Sequence, residues 1–226
     1  YKKNPTIFND RILNFNYILP SATDFKADLI IIATKFDGLN DVIQNIKNFV
    51  KEDTVILSLL NGVTSEKIIA KTYGAEKLLY SYYIGHSAVR NGRHITHDGV
   101  NTIVFGSDNA NDIKNENKVK IFFEKVGINY LIPKDIIHSL WLKYMQFAIN
   151  IMKEVQAIAK VQGVNNSETL IDEALESLKT MTPDGKTSML QDVEAGRKTE
   201  VDMFAGTIIK MGLEHNIPTP YNKKIK

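Results

Sequence analysis

Two apolar runs with a helical pattern between them constrain the fold of this chain more than any other feature. Residues 28–35 form a continuous β-branched run, which is typical of a strand buried on both faces. Apolar residues recur at helical spacing over residues 39–50, and a second strand-like run, residues 54–60, stops at Asn61-Gly62. A strand, a helix and a strand of these lengths predict a βαβ unit with parallel strands.

Strand and helix patterns continue to residue 132. They predict a helix at 65–72, a strand-like stretch at 78–84, a helix at 113–125 and a last strand at 128–132. Residues 94–96 and 102–105 flank Asp98-Gly99, which is typical of a hairpin.

After Pro133 the pattern is helical only. It predicts one long helix from 136 to 158, a second at about 168–180 and a third from about Ser188 to Asn216. We therefore expect a domain boundary near Lys134, with an α/β half before it and an all-α half after it.

Composition excludes several classes of protein. The chain is 43% hydrophobic and 24% charged, with a net charge of +2, which gives no reason to expect nucleic acid or a membrane as partner. It has no cysteine, which excludes disulfides, thiolate nucleophiles and cysteine-bound metals and fits a reducing cytoplasm.

Polar residues follow both strands of the βαβ unit. Ligands of open parallel sheets bind at the carboxyl ends of strands. There Lys35 could reach a phosphate or a nicotinamide edge, and Asn61 could hydrogen-bond a ribose or a carboxamide, with Gly62 allowing close backbone approach. The alternative is that these are ordinary turn residues.

A lysine interrupts the apolar face of the long helix. At 3.6 residues per turn, Lys143 shares a face with Leu140, Phe147, Asn150 and Glu154. Burying its charge is costly, so its side chain either extends outward or is held in a cleft. Desolvation in a cleft would lower the pKa of Lys143 and make it a better proton donor near neutrality.

The third helical segment carries polar groups around Gly196, after a turn signal at 182–185. One alternative is a solvated face with ion pairs. On a straight helix, Ser188 and Glu200 would lie about 120° apart and about 18 Å along the axis. Ser188 and Glu200 could act together on one small ligand only if the helix breaks between them. Otherwise they could contact only different ends of a larger ligand.

Four further polar residues are assigned no site. We expect Arg197 and Asp202 to form helix ion pairs. His94 and His97 lie three positions apart, but no second ligand motif accompanies them, so no metal site is predicted.

These segments together resemble the ketopantoate reductase (2-dehydropantoate 2-reductase) family. The matching segments are Lys35, Asn61-Gly62, His86-Ser87-Ala88, His97-Asp98-Gly99, Ile103–Gly106, Leu140–Tyr144 and Ser188–Asp202. The resemblance implies an α/β fold: an incomplete Rossmann-like dinucleotide-binding domain over residues 1–134, then an all-α substrate and dimerisation domain over residues 135–226.

The resemblance also assigns roles. It implies catalysis by Lys143, as general acid, and by Glu200. It implies NADP as cofactor, contacted by Lys35, Asn61, Ala88 and Glu200. It implies substrate contacts from Lys143, Asn150 and Ser188, and no metal.

Two departures from the family matter. The family opens with a glycine-rich turn that binds the cofactor's pyrophosphate, and the first glycine here is Gly38. We therefore expect this chain to be the remainder of a longer protein. The family also has asparagines one and two turns after the lysine, where this chain has Phe147 and Ile151, with Asn150 one place out of register.

The expected function is NADPH-dependent reduction of a small 2-oxo acid. By resemblance this is ketopantoate, reduced to pantoate on the route to pantothenate and coenzyme A, in a cytoplasmic protein whose homodimerisation stays open. The first alternative is a reductase for another oxo acid or an imine. The second is a degenerate, non-catalytic paralog that acts as a binding protein.

Overall fold

The computed structural model describes residues 5–85, 88–97, 99, 101–108, 113–179 and 188–226. They group into two compact units, Tyr1–Tyr144 and Met145–Lys226. The boundary expected near Lys134 stays a prediction; it falls just before the first long helix of the all-helical part.

The described strands are β1 (Thr6–Phe8), β2 (Arg11–Leu13), β3 (Leu29–Ile32), β4 (Val55–Ser58), β5 (Leu78–Ile84), β6 (Val89–Asn91), β7 (His94–Thr96), β8 (Thr102–Gly106) and β9 (Tyr130–Leu131). The described α-helices are α1 (Leu39–Asn45), α2 (Ser65–Tyr73), α3 (Ile113–Val126), α4 (Ile136–Val161), α5 (Leu170–Leu178), α6 (Ser188–Glu194), α7 (Val201–Glu214) and α8 (Pro220–Ile225).

The main sheet has the order β3-β4-β5-β8-β9. Strands β3, β4 and β5 are parallel, which confirms the predicted βαβ unit, whereas β8 runs antiparallel to β5. Strand β4 is buried along its whole length. The expectation that the first strand is buried on both faces is wrong, because β3 is an edge strand and Ile31 is 38% exposed.

A smaller sheet has the order β2-β1-β7-β6. Strands β1 and β2 carry no strong apolar signal and were not predicted. The hairpin predicted around Asp98-Gly99 is wrong: β7 pairs with β6 and β1, whereas β8 pairs with β5 and β9 in the main sheet. The turn at Gly92, which has a φ of +59°, joins β6 to β7 instead.

Apolar residues on both faces of the main sheet form its core. One cluster packs Ile56 of β4 against Ile43 of α1 and Ile69 of α2. A second cluster packs Leu57 of β4 against Phe123 of α3. Because successive residues of β4 serve opposite clusters, this strand carries helices on both of its faces.

In the described residues of the second unit the regular structure is helical, as expected. The third predicted helix is two helices, α6 and α7, because α6 ends in a Schellman motif. Gly196 has a φ of +66°, its N–H bonds to the Val193 carbonyl, and the N–H of Arg197 bonds to the Asp192 carbonyl at 2.8 Å. A further short helix, α8, follows and was not predicted.

Candidate active site

Helix α4 brings Lys143 to the carboxyl end of β4. Its Nζ donates a hydrogen bond to Oδ1 of Asn61 at 3.3 Å and lies 5.0 Å from the centroid of the Tyr82 ring. The lysine side chain is half-buried. These contacts favour the alternative in which the Lys143 side chain is held in place over the one in which it extends outward. Its role as proton donor stays a prediction.

The ends of β3 and β4 lie at the same edge of the sheet, because Ile32 pairs with Ser58 in parallel register. Lys35 and Asn61 follow these ends, and both side chains are exposed. Gly62 has a φ of +112°, which favours glycine, and no atom of another residue would lie within 4 Å of an added Cβ. The backbone at this corner is therefore open to close approach.

A buried cluster of polar side chains lies at the end of β4. Ser58 Oγ donates to Ser65 Oγ at 2.8 Å, and Ser65 Oγ donates to Oε2 of Glu66 at 2.9 Å. Ser81 of β5 donates its hydroxyl to the Ser58 carbonyl at 2.9 Å. These bonds fix the end of β4, the turn that leads into α2, and the middle of β5 relative to one another.

Glu66 is the ionisable member of this cluster, and it is only 3% exposed. Burial raises the pKa of its carboxyl group, while hydrogen bonds from Ser65 and from backbone amides, including that of Ser81, act in the opposite direction. Burial also raises the pKa of Tyr80 on the adjacent strand, with the negative charges of Asp108 and Glu66 adding to the effect.

Tyr82 is a residue of this site that the sequence did not indicate. Tyr82 is 4% exposed and clusters with Val104, Ile136 and Leu140. Its hydroxyl oxygen lies 2.6 Å from Oγ of Ser139 on α4, where either group can donate. No spacing signal in the sequence links Tyr82 to Lys143, which follows 61 positions later by their numbers.

The remaining candidate residues belong to the second unit, except Ala88. Asn150 is half-buried on α4, Ser188 is the exposed first residue of α6, and Glu200 is exposed just before α7. Ala88 of the first unit is exposed; its neighbours His86 and Ser87 lie outside the described residues, as does the turn signal at 182–185. The break at Gly196 means that Ser188 and Glu200 do not share one straight helix.

The second unit contains an aromatic pair at a position where the family resemblance expects asparagine. The rings of Phe147 on α4 and Tyr221 on α8 are edge to face, with centroids 5.5 Å apart. Glu154, 8% exposed, holds α8 in place. Its carboxylate accepts hydrogen bonds from the backbone N–H groups of Tyr221 and Asn222 and from the Asn222 side chain, at 2.7–2.9 Å.

Arg197 and Asp202 form ion pairs, as expected. Arg197 pairs with Asp192 at 2.7 Å. Asp202 lies 3.9 Å from Lys198, one turn before it, and 3.8 Å from Lys226. These contacts give the charges a structural role in ordering the segment around the break.

The chain carries a cation, Lys35, just after β3, and an amide, Asn61, with an open backbone at Gly62, just after β4. Binding of a dinucleotide by these residues stays a prediction. Within the described residues, no group of three or more His, Cys, Asp or Glu side chains is arranged to hold a metal ion. In the same part of the chain, no helix combines the length and apolarity needed to cross a membrane.

A Rossmann-like sheet with polar strand ends, followed by a helical domain, is the architecture of a nucleotide-dependent oxidoreductase. The profile described as ketopantoate reductase PanE/ApbA matches residues 3–110, and that of the family's C-terminal domain matches residues 136–225. The chain belongs to the ketopantoate reductase PanE/ApbA family.

Curated relatives are distant but span most of the chain. The oxidoreductase YkpB of Bacillus subtilis (strain 168), itself uncharacterised, is 24% identical over 220 residues, which cover 85% of this chain and 73% of the relative. The 2-dehydropantoate 2-reductase of Pyrococcus horikoshii is 26% identical over 231 residues, covering 87% of this chain and 73% of that protein.

Among solved structures, a D-mandelate dehydrogenase in ternary complex with NADH and anilino(oxo)acetate has a TM-score of 0.55 and 22% identity to this chain. The match covers 96% of this chain and 80% of the dehydrogenase. At this identity the likeness shows a shared fold.

Proposed function

We propose that this protein reduces the keto group of a small 2-oxo acid with NADPH, and that ketopantoate is the substrate. The observation that carries the proposal is the contact between Lys143 and Asn61. It joins the first lysine of the long helix to the strand end at which open α/β sheets bind their cofactors. Family membership supports the reaction class.

In this mechanism a bound nicotinamide supplies the hydride. Lys143 Nζ, with its three N–H donors, donates a proton to the alkoxide oxygen that develops as the keto carbon is reduced. Asn61 holds Nζ through its Oδ1 and offers its amide N–H groups to the cofactor. Lys35 and the backbone around Gly62 and Ala88 contact the cofactor, while Asn150, Ser188 and Glu200 orient the substrate and the nicotinamide.

The test is steady-state oxidation of NADPH with ketopantoate, with NADH as the comparison cofactor. Turnover with a preference for NADPH is the expected result. Cofactor binding without ketopantoate turnover would favour a different oxo acid or an imine. Neither binding nor turnover would favour a non-catalytic binding protein. Homodimerisation and a cytoplasmic location are further proposals that rest on the family resemblance.

One observation favours a second candidate substrate class, a 2-oxo acid with an apolar side chain. Phe147 lies one turn after Lys143 on α4 and packs on Tyr221. An apolar ring in place of an amide removes a hydrogen bond worth about 1–3 kcal/mol to a buried substrate hydroxyl. A panel that compares ketopantoate with 2-oxo acids bearing hydrocarbon side chains decides between the two, with Phe147→Asn expected to shift preference towards ketopantoate.

A further inference from the structure

We propose that Tyr82 is a positioning residue for Lys143, an inference that rests on the proposed function of that lysine. The face of the Tyr82 ring holds the ammonium group beside Asn61. The Tyr82 hydroxyl, paired with Ser139, holds the ring in the orientation that presents this face.

The geometry around the ammonium group carries the inference. Its nitrogen lies 5.0 Å from the ring centroid, within the range in which a cation is attracted to the negative face of an aromatic ring. Asn61 Oδ1 contacts the same nitrogen at 3.3 Å. Because the lysine side chain is flexible, two contacts of different kinds restrict Nζ far more than one hydrogen bond does.

The ring is itself held rigidly. Tyr82 is 4% exposed, and its ring packs in a cluster with Val104 of β8 and Leu140 of α4. Its hydroxyl lies 2.6 Å from Ser139 Oγ, so both ends of the side chain are fixed. Ser139 is four residues before Lys143 on α4, so the same helix turn supplies the hydroxyl partner and the cation.

The buried serine cluster links the two contacts of the ammonium group. Ser81, next to Tyr82 on β5, donates its hydroxyl to the Ser58 carbonyl at the end of β4. Asn61 follows that end three residues later. The ring and the amide are therefore anchored to each other through adjacent strands, independently of the lysine that both contact.

The first test is NMR of the full chain labelled at the lysine ε-carbons, with the Lys143 signal assigned by Lys143→Arg. Protons over an aromatic face shift upfield, so the ε-methylene signal of Lys143 is expected upfield of the signals of ordinary exposed lysines. Lys224 lies 5.2 Å from the centroid of Tyr221 and provides an internal reference for a similar contact. A Lys143 signal at the position of ordinary exposed lysines would overturn the proposal without any variant having to fold.

Variants separate the ring from its hydroxyl. Tyr82→Phe keeps the ring and is expected to keep the upfield shift and kcat within about threefold, whereas Tyr82→Leu loses the shift and lowers kcat by about tenfold with KM little changed. Tyr83→Leu, on the opposite face of β5, is the control that leaves the Lys143 signal and kcat unchanged. Equal losses in Tyr82→Phe and Tyr82→Leu would overturn the role of the ring.

The two readouts separate this inference from the proposed function. The NMR signal needs neither substrate nor cofactor. An upfield Lys143 signal that depends on the Tyr82 ring, in a protein that reduces no 2-oxo acid, supports the arrangement and counts against the proposed function. A protein that reduces a 2-oxo acid while Tyr82→Leu retains full kcat overturns the positioning role.

Discussion

Lys143 Nζ lies 3.3 Å from Asn61 Oδ1, although the two residues are 82 positions apart in the chain. The contact forms because α4 packs through Ile136 and Leu140 on strands β5 and β8. Strand β5 pairs with β4, whose end leads into the Asn61 turn. A lysine at the start of the helical region thus reaches the carboxyl edge of the sheet. This relationship makes Lys143 and Asn61 the first residues to test.

Replacing Lys143 by alanine is expected to lower kcat by about 10²–10⁴, because the developing alkoxide then has no positioned proton donor. The protein should stay folded, since the side chain is only half-buried. Steady-state kinetics and thermal unfolding of the variant provide the measurement. The matched control is Lys153→Ala, which removes an exposed lysine of the same helix and should leave kcat unchanged. Turnover within a few-fold of the parent in Lys143→Ala would remove this lysine from the mechanism.

Gly62→Ala is expected to lower the free energy of unfolding by about 1 kcal/mol, because its φ of +112° strains any residue with a Cβ. Steric collision is not the cause, since nothing lies within 4 Å of the added atom. Gly38→Ala is the matched control: its surroundings are equally open, but its φ is −88°. Urea denaturation of both variants measures the difference. Equal losses at the two glycines would show that the backbone angle at residue 62 has no special cost.

The sequence predicted the elements with strong periodicity and missed what depends on tertiary pairing. The parallel β3-α1-β4 unit and the long helix α4 were predictable, because apolar residues alone set their periods. The pairing of β7 with β1 was not, because each of these strands has three residues, too few to show a period. Likewise, the helical pattern of α4 indicates Lys143 as a candidate residue. The proximity of Tyr82 to Lys143 depends on how α4 packs on β5, which the sequence pattern does not predict.

The break between α6 and α7 illustrates the same limit. Helical spacing on both sides of Gly196 predicts one helix, since propensity costs about 1 kcal/mol for an internal glycine and that cost can be overcome. In the folded chain the helix ends here instead. The backbone hydrogen bonds of the Schellman motif and the ion pair between Arg197 and Asp192 stabilise this end. Gly196 indicates where the helical pattern could be interrupted, but the sequence does not predict that the helix ends there.

Glu154→Ala is expected to lower the free energy of unfolding by about 3 kcal/mol. The substitution leaves the buried backbone N–H of Asn222 and its side-chain amide without their carboxylate acceptor. Chemical denaturation measures the loss, and the exposed Glu168→Ala is the control, expected to change stability by less than about 0.5 kcal/mol. A Glu154→Ala protein as stable as the control would mean that α8 is held by apolar packing alone.

Glu66 makes stability depend on pH in a direction opposite to that of an ion-paired carboxylate. Burial raises the pKa of its carboxyl group in the folded protein above the ordinary value of 4.5, so the folded state binds the proton more tightly than the unfolded state does. Its contribution to stability is therefore fully present below pH 4.5 and is lost as pH rises through the raised folded pKa.

Glu66→Gln removes this dependence, because the amide cannot ionise and occupies nearly the same volume. Over a range from about pH 4 to pH 8, the parent should lose stability relative to this variant as pH rises through the raised folded pKa, and the difference should level off above it. Urea unfolding of both proteins across that range gives the difference directly. Glu52→Gln, at an exposed position of the same unit, is the control and should show no such divergence. Parallel stability curves for the parent and Glu66→Gln would mean that the hydrogen bonds from Ser65 and the backbone offset the cost of burying the charge.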